Sequence, residues 1–280
     1  MDKKLSANTG LAFIGCGVMG EAMLAGLLRE KIVAPKQITA SHPRAERRAD
    51  LKKRYGIRAF SDNAAAAKAF RGPDSVVVLC VKPQRISSVL HDLSGKVGVD
   101  QLVMSIIAGT TIDTISDALE SRLVVRAMPN TPSQIGAGMT AWTCSAGVDE
   151  KHKSTVKIML SALGKELFVE TENMIDMATS LSATGPTYTF MVMEAMTDAG
   201  VHLGFSREIS KELVQQTMLG SVQFAIESHK HPAELRNMVT SPGGTSAEAI
   251  YQMEKGALRT VLSKAIYGAY KRAVELGKRK

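Results

Sequence analysis

The chain has 280 residues, 45% of them hydrophobic and 22% charged, and its 35 Lys and Arg residues outnumber its 27 Asp and Glu residues for a formal charge of +8. This composition excludes a disordered or collagen-like chain, and no apolar run approaches the ~20 residues that a membrane helix needs. The first residues lack the apolar core of a signal peptide, and the three cysteines are too far apart for a disulfide framework or a metal site. We therefore expect a cytoplasmic chain of two domains that binds no metal and enters no membrane.

The excess of positive charge suits either a nucleic acid or a small ligand that carries phosphate. Only five Tyr and seven Phe residues are present, and basic and aromatic residues are not interleaved as they are on surfaces that bind nucleic acid. We therefore expect a small phosphorylated ligand and no nucleic acid as partner.

Short apolar runs alternate with amphipathic stretches as far as residue 169. The predicted strands, in chain order, are residues 11–14, 37–41, 75–81, 102–108, 122–128, 139–144 and 166–169. The predicted helices are residues 19–30, 44–55, 63–70, 86–93 and 112–119. Strands rich in Val and Ile that alternate with helices predict a parallel sheet covered on both faces.

The strand signal ends near residue 170, and Met, Ala, Leu and Glu dominate from there on. An apolar residue recurs every four positions near the end of the chain, which predicts one long amphipathic helix: Leu258, Leu262, Ile266, Tyr270 and Val274. We predict an α/β domain over residues 1–169 and an all-α domain over residues 170–280. The Met-rich helices carry more apolar surface than a domain of this size buries alone, so we expect a homodimer with exchanged helices.

A glycine-rich turn follows the first predicted strand. It matches the pattern G-x-G-x-x-G and consists of Gly15, Cys16, Gly17, Val18, Met19 and Gly20. In the setting strand–turn–helix, the first glycine permits the tight turn, the second lets a pyrophosphate approach the backbone, and the third lets the helix pack on the strand. The helix then offers unpaired N–H groups to the phosphates. The motif predicts a Rossmann-type dinucleotide site, and the alternative is a turn that only allows close packing.

The residues after the second predicted strand bear on the choice of dinucleotide. A site that prefers NAD usually carries Asp or Glu here to bind the ribose hydroxyls. Ser41, His42 and Arg44 occupy this place instead, with Arg47 and Arg48 one turn later. Because hydroxyl, imidazole and guanidinium groups suit a 2′-phosphate, we predict NADPH as the preferred cofactor, with NADH also usable. The alternative is that the arginines form a solvated helix face.

Two further predicted strands end in residues that stop a strand. One runs into Val81, Lys82 and Pro83, and the other into Ala108 and Gly109. Ligands of doubly wound sheets lie outside the carboxyl ends of the strands, so we expect these residues beside the cofactor unless they only end the strands. The segment 128–132, Met-Pro-Asn-Thr-Pro, either lines the same cleft or only redirects the chain.

An unusual loop interrupts the helical half of the chain. Paired glycines, Gly243 and Gly244, precede Thr245-x-x-Glu248, which predicts a capping box at the start of a helix. Backbone N–H groups beside the glycines would seat a carboxylate, and the Ser246 hydroxyl would stay free in the first turn. A simple helix cap is the alternative, but it needs neither two glycines nor the additional hydroxyl groups of the loop.

Five motifs, in this order and spacing, resemble those of Δ1-pyrroline-5-carboxylate reductases. They are the glycine turn, the segment 81–83, and the segments 128–132, 181–188 and 239–245. The resemblance covers nearly the whole chain and is most specific in the last segment. It implies a Rossmann domain followed by a helical domain that interleaves with its twin, in dimers and often in decamers. The implied reaction is the last step of proline synthesis, in which NAD(P)H delivers hydride to a cyclic imine and yields L-proline.

The resemblance also implies roles for single residues. Positions around the family's cofactor fall on Asn63, Val81, Lys82, Pro83, Ala108 and Gly109, besides the glycine turn and Ser41, His42 and Arg44. The substrate-binding positions fall on Glu172, Ser241, Gly243, Gly244 and Thr245. Ser246 stands where the family has a catalytic threonine, whose hydroxyl hydrogen-bonds the ring nitrogen of the imine. This substitution keeps the hydroxyl and loses a methyl group that restricts the side chain.

Two other functions stay open on the sequence alone. The chain could reduce a different cyclic imine or a β-hydroxyacid, although the hydroxyacid enzymes need a catalytic lysine in the helical domain that this sequence lacks. It could also be a non-catalytic nucleotide-binding paralogue, although its glycine turn and its substrate loop are both intact.

Overall fold

The structure, a computed structural model, describes residues 4–278. It divides into two compact units. The first unit contains the chain up to Thr184 together with the residues from Ala269 on, and the second contains residues 185–268. The domain boundary predicted at residue 169 stays a prediction, because packing within one chain does not by itself define a domain. The first three residues, which entered the expectation about a signal peptide, lie outside the described residues.

An eight-stranded sheet forms the centre of the first unit, in the order β3-β2-β1-β4-β5-β6-β7-β8. The strands are β1 (Leu11–Ile14), β2 (Ile38–Ser41), β3 (Arg58–Phe60), β4 (Val76–Leu79), β5 (Leu102–Ser105), β6 (Val124–Met128), β7 (Gly138–Cys144) and β8 (Gly164–Phe168). The first six strands of this order, β3-β2-β1-β4-β5-β6, pair in parallel. In the central strand β1, Leu11 lies opposite Ile38 of β2 on one side and Val76 of β4 on the other. The strand order reverses between β1 and β4, which is where doubly wound sheets bind their ligands.

The predicted parallel sheet is confirmed except at one pair, because β7 runs antiparallel to β6. The connection between them holds only a short 3₁₀ helix, Thr131–Ile135, and so short a link joins antiparallel neighbours rather than parallel ones. Asn130 secures this reversal by accepting a hydrogen bond from the Met139 N–H at 2.9 Å. The segment 128–132 therefore redirects the chain, which was one of the two roles that the sequence allowed for it.

Six helices accompany the strands: α1 (Val18–Arg29), α2 (Ala45–Tyr55), α3 (Asn63–Lys68), α4 (Ile86–Leu93), α5 (Ile112–Leu119) and α6 (Glu150–Ser161). Alternate side chains of the strands enter two separate cores, as the period of a strand requires. Leu11 and Phe13 of β1 pack in the core that includes α1, α2 and α6, whereas Ala12 and Ile14 pack in the core that includes α3, α4 and α5. The predicted coverage of both sheet faces is confirmed.

Two elements lie outside the predicted set, β3 and α6. β3 has three residues, none of them buried, so it offers no apolar run that a sequence pattern could detect. α6 begins with charged residues and buries only Val156, Met159 and Leu160. Its start is fixed by Asp149, whose side chain accepts the His152 N–H at 2.8 Å.

The first unit also contains α7 (Asn173–Ala178), a π-helical turn at Thr179–Ala183 and the last residues of α12 (Leu258–Lys278). The Tyr270 hydroxyl donates to Asn173 Oδ1 at 3.2 Å, and Ala273 is buried. The long helix predicted from the four-residue apolar repeat is confirmed, and all five residues of the repeat are half-buried.

The second unit is entirely helical, with α8 (Gly185–His202), α9 (Arg207–Ser228), α10 (Pro232–Met238), α11 (Thr245–Lys255) and the start of α12. Its only buried residues are Ser210 and Val214. Large apolar side chains are exposed along both long helices, among them Met191 at 65%, Leu219 at 54% and Val222 at 58%. A single chain therefore leaves this unit without an apolar core. Within residues 4–278, no helix combines the length and the apolar character that crossing a membrane requires.

Candidate active site

The glycine turn between β1 and α1 needs its glycines for three different reasons. Gly15 has a φ of +78°, and a Cβ added to it would lie 2.1 Å from Val81 Cγ1. A Cβ on Gly20 would lie 2.6 Å from Cys80 Sγ, so the third glycine permits close packing of α1. A Cβ on Gly17 would meet no atom closer than the Gly15 carbonyl oxygen at 3.8 Å. Only the second glycine thus leaves open space, which is where the motif predicts the approach of a pyrophosphate.

The start of α1 carries no side-chain cap. Gly17 is the N-cap residue, and the Glu21 N–H donates to its carbonyl oxygen at 2.9 Å. The N–H groups of Val18 and Met19 precede the first intrahelical bond and are available to a bound anion. An uncapped helix N-terminus beside open space fits a pyrophosphate.

Ser41 stabilises the glycine turn through hydrogen bonds on the buried side of the turn. Its hydroxyl and its carbonyl oxygen both accept the Gly15 N–H, each at 3.1 Å, and its hydroxyl donates to Asn63 Oδ1 at 2.7 Å. Ser41 is completely buried, as is Cys16, whose pKa is raised to about 12 by burial. These predicted cofactor residues therefore support the turn, and their side chains do not line the cleft.

A cleft of about 780 Å³ opens at the carboxyl ends of β1, β2, β4 and β5. Ten of the predicted cofactor residues line it: Gly15, Gly17, Val18, Met19, His42, Arg44, Val81, Lys82, Pro83 and Ala108. The other five do not: Cys16, Gly20, Ser41, Asn63 and Gly109. The volume lies within the range of small-molecule sites. A second cavity of about 770 Å³ shares no lining residue with this cleft and lies away from the glycine turn.

The residues after β2 form a rigid corner of the cleft. Arg48 donates to the carbonyl oxygens of His42 and Pro43 at 2.8 and 2.7 Å, so its guanidinium fixes the loop. His42 Nδ1 accepts the Arg44 N–H at 3.2 Å. Burial, followed by the charges of Arg44 and Arg47, lowers the pKa of His42, which favours a neutral imidazole. Arg44 itself is exposed, and no ion pair engages it among the described residues.

Gly109 differs from the residues that line the cleft. Its φ is +77°, and an added Cβ would lie 2.9 Å from the backbone of Leu276. The glycine thus permits close approach of the end of α12 within the first unit. Its neighbour Ala108 lines the cleft and packs on the small apolar cluster that includes Met128 and Ile175.

Glu172 takes part in a buried ion network of the first unit. Its Oε1 accepts from Arg126 Nη1 at 2.9 Å and from the Ile112 N–H at 2.8 Å, while Arg126 Nη2 donates to Asp176 at 2.6 Å. Arg126 is 1% exposed, so it needs these carboxylates to balance its charge. The network holds one carboxylate oxygen of Glu172, and none of the described residues hydrogen-bonds the other.

The loop before α11 belongs to the second unit. Gly243 has a φ of +70° with no atom near an added Cβ, and the Gly244 N–H donates to the Ser241 carbonyl oxygen at 3.0 Å. A helix begins at Thr245, as predicted, but the predicted capping box is wrong. Gly244 occupies the N-cap position, so Thr245 lies inside the helix and its hydroxyl caps nothing. Glu248 instead accepts a hydrogen bond from Gln252 at 2.8 Å.

The absence of a side-chain cap leaves the first N–H groups of α11 available to an anion. Ser246, the second residue of the helix, is half-buried. Its hydroxyl has no hydrogen-bond partner within the described part of the chain. The loop thus combines free backbone donors and a free hydroxyl, which suits a small ligand with a carboxylate.

Comparison with known proteins extends these observations to the whole chain. Residues 172–276 match the family model described as pyrroline-5-carboxylate reductase dimerisation, and residues 10–109 match the model described as NADP oxidoreductase coenzyme F420-dependent. A pyrroline-5-carboxylate reductase of Synechocystis is 40% identical over 96% of this chain and 98% of its own length. The chain belongs to the pyrroline-5-carboxylate reductase family.

Solved structures of family members share the fold. The pyrroline carboxylate reductase of Plasmodium falciparum, crystallised with NADP bound, has a TM-score of 0.87 and 29% identity over 97% of this chain and 99% of its own. The reductase of Coxiella burnetii has a TM-score of 0.85 and 35% identity over 96% of this chain and 98% of its own. The predicted family and fold class, an oxidoreductase with an NAD(P)-binding Rossmann domain and a helical dimerisation domain, are confirmed.

Sequence reasoning missed one acidic residue of the reductase cleft. Glu21 and Arg47 both line the cleft and form an ion pair. They lie on α1 and α2, 26 residues apart, so no local pattern connects them. The dinucleotide motif places a carboxylate only at the end of β2, where NAD-binding sites usually carry it.

Proposed function

We propose that this chain reduces Δ1-pyrroline-5-carboxylate to L-proline, the last step of proline biosynthesis, with NADPH preferred over NADH. The observation that carries the proposal is its similarity to reductases of this name over nearly its full length. The second support is local, because each unit holds an uncapped helix N-terminus beside glycines.

The cleft of the first unit suits a dinucleotide. The backbone of the glycine turn and the start of α1 would hold the pyrophosphate, and His42 and Arg44 would bind the adenosine end. Val81, Lys82 and Ala108 line the cleft at the ends of β4 and β5 and would bind the remainder of the cofactor. When bound, NADPH supplies the hydride for the reduction.

The preference for NADPH rests on the residues after β2. This strand ends at Ser41, and the next basic residue, Arg44, carries a guanidinium that no carboxylate engages among the described residues. A free guanidinium binds a phosphate through charge-assisted, bidentate hydrogen bonds. We expect Arg44 to contribute most of the discrimination between the two dinucleotides.

The loop before α11 would bind the substrate. The N–H groups that follow Gly243 and Gly244 would hold its carboxylate, and the Ser246 hydroxyl would hydrogen-bond the ring nitrogen and orient it. A protonated imine accepts hydride readily, and its proton can come from solution. The chain therefore needs no strong general acid, and positioning of the two reactants is its main contribution. The free carboxylate oxygen of Glu172, held in place by Arg126, is proposed as a further polar contact on the ligand side.

The exposed apolar faces of α8 and α9 support a homodimer with exchanged helices. Only two residues of this unit are buried, and a second copy packed on these faces would give it an apolar core. Decamers, which the family also forms, would be built from such dimers. Light scattering on the intact protein distinguishes the assemblies by the mass of two chains or of ten, and a monomer at micromolar concentration would contradict both.

We propose a cytoplasmic location. The three cysteines are unpaired. Unpaired cysteines are usual in a reducing compartment such as the cytoplasm. Fractionation of the source cells, with activity measured in each fraction, tests this.

The deciding experiment is an assay with purified protein, NADPH and pyrroline-5-carboxylate as sole acceptor. We expect oxidation of NADPH to be matched mole for mole by formation of L-proline, and the KM for NADPH to be lower than that for NADH. Turnover only with another cyclic imine or with a β-hydroxyacid would replace the proposed substrate. Binding of NADPH without any turnover would make the chain a non-catalytic paralogue.

A further inference from the structure

A single carboxylate lies among the basic side chains of the cofactor cleft. Of the described residues that line the cleft, Glu21 alone is acidic, whereas Arg44, Arg47, Lys82 and Arg85 are basic. A carboxylate near bound phosphates is unfavourable unless a cation pairs with it. The role of Glu21 at this site therefore depends on which cations pair with its carboxylate.

Glu21 is fully engaged by residues of α2. Arg47 donates to one of its carboxylate oxygens, and Arg54 and Tyr55 donate to the other, Tyr55 at 2.7 Å. Arg47 also donates to Asp50 at 2.9 Å, so its guanidinium lies between two carboxylates. The side chains of Glu21 and Arg47 are 16% and 18% exposed, which makes their pair stronger than one at an open surface.

Arg47 nevertheless lies at the same end of the cleft as Arg44. Both line the cleft together with His42, and both charges act on the His42 ring. The two arginines differ in their partners, because Arg44 has no carboxylate partner among the described residues and Arg47 has two. One guanidinium is thus free for a phosphate and the other is not.

We propose that Glu21 is a specificity-determining residue. Its carboxylate withholds the Arg47 guanidinium from the 2′-phosphate of NADPH, so that Arg44 is the main partner of this phosphate and NADH remains usable. The inference rests on the cofactor of the proposed function and adds that the chain itself limits its preference for NADPH.

The test measures binding rather than turnover. NADP⁺ and NAD⁺ are titrated calorimetrically into the full chain without any imine. We expect Glu21→Gln to leave Arg47 with Asp50 as its one carboxylate partner, which frees one edge of the guanidinium for the phosphate. NADP⁺ binding should tighten by about tenfold, since a hydrogen bond between two charged groups contributes that much. NAD⁺, which lacks the 2′-phosphate, should bind nearly as before. Glu248→Gln is the matched control, because it removes the acidic residue at the same helical position of α11.

A double variant shows whether Glu21 affects binding through Arg47 or through its own charge. In Arg47→Gln, the further change Glu21→Gln should leave the ratio of NADP⁺ to NAD⁺ affinity unaltered. A gain in this ratio that persists without Arg47 would overturn the proposal, because Glu21 would then act through its own charge. Equal changes for both dinucleotides would also overturn it, since Glu21 would then only support the fold.

Thermal unfolding confirms that each variant is folded. Glu21→Asp keeps the charge but shortens the side chain, so it should loosen Arg47 and raise the affinity ratio by a smaller factor. An unchanged ratio in Glu21→Asp would contradict the proposal even if Glu21→Gln does not fold. Because no imine is present, a chain that binds NADP⁺ but reduces nothing would disprove the proposed function and leave this inference standing.

Discussion

Helices α1 and α11 begin in the same way in different units of the molecule. Each follows a loop with a glycine of positive φ, Gly15 or Gly243, and each has a glycine at its N-cap and a glutamate at its fourth position, Glu21 or Glu248. Neither start carries a side-chain cap. Local geometry makes both of them candidate anion sites.

Their surroundings differ completely. Around α1, Gly15 packs against Val81, and Glu21 is bonded to three residues of α2. Around α11, an added Cβ on Gly243 meets nothing, and Glu248 bonds only to Gln252 of its own helix. The proposed cofactor site is therefore held by long-range packing within its own unit, whereas the proposed substrate loop has open space beside Gly243 and only a local hydrogen bond at Glu248. We expect the same short motif to tolerate substitutions very differently in the two places.

The largest expected effect comes from alanine at the two glycines of positive φ. In both Gly15→Ala and Gly243→Ala the left-handed backbone costs about 1–2 kcal/mol. Gly15→Ala also brings a Cβ to within 2.1 Å of Val81 Cγ1, so we expect a total loss of ~3 kcal/mol or more. Chemical denaturation measures both losses. Equal losses would mean that the surroundings of the two turns do not differ in the way described.

The second prediction concerns Ser246 and turnover. Its hydroxyl is proposed to hydrogen-bond the charged ring nitrogen, and such a bond contributes about 1.5–3 kcal/mol. Ser246→Ala should therefore lower kcat by roughly ten- to a hundredfold, while NADPH affinity, which depends on α1, stays the same. Ser246→Thr is the control that keeps the hydroxyl. A parallel loss of NADPH affinity would make Ser246 a structural residue.

The third prediction exchanges the two N-cap glycines for alanine. Gly17→Ala should weaken NADPH binding by about tenfold, since the added Cβ would occupy the open space in which we propose that the pyrophosphate binds. Gly244→Ala should instead raise the KM for the imine by a similar factor and leave NADPH binding unchanged. Gly17→Ala should lose only ~0.5–1 kcal/mol of stability, because alanine is the poorer N-cap. Gly244→Ala should lose at least as much, because its Cβ would also lie 2.5 Å from Ser241 Oγ, which must rotate away. If either variant impaired both ligands equally, the two helix starts would not be separate sites.

The sequence predicted the elements whose signal is local. The helices α4 and α5 begin and end at the predicted residues, because an apolar period marks both and the Thr111 side chain caps the start of α5. The glycine turn was equally clear, since Gly15 and Gly20 each permit a close approach that a side chain would block, whereas Gly17 leaves open space. The antiparallel β7 was not predicted, because direction depends on the length of a connection and not on the composition of the strand.

The candidate site shows the same limit. The backbone donors of both helix starts were predicted from glycines that stand next to them in the chain. The pairing of Glu21 with Arg47 was not, because it joins two helices through tertiary packing. The capping box at Thr245 failed for a related reason, since one residue of difference in where a helix begins moves a hydroxyl from the cap into the helix.

The smallest effect is expected at the two glutamates and depends on pH. Burial alone would raise the pKa of Glu21, but the hydrogen bonds from Arg47 and Tyr55 outweigh it and the pKa is lowered. A lowered pKa means that the ionised carboxylate stabilises the fold above the ordinary pKa of glutamate, and that this contribution is lost as the pH falls through the lower folded value. Glu21→Gln should thus cost ~1 kcal/mol at neutral pH and progressively less in acid.

Glu248→Gln tests whether the position in the helix or the surroundings produce this effect. Its carboxylate lies at the same helical position but is exposed and bonded only to Gln252, so its loss should change stability by no more than ~0.5 kcal/mol at any pH. Unfolding curves of both variants and of the unaltered chain from neutral to acid pH measure the difference. Identical pH profiles for the two variants would mean that the helix dipole, which both share, outweighs the partners on α2.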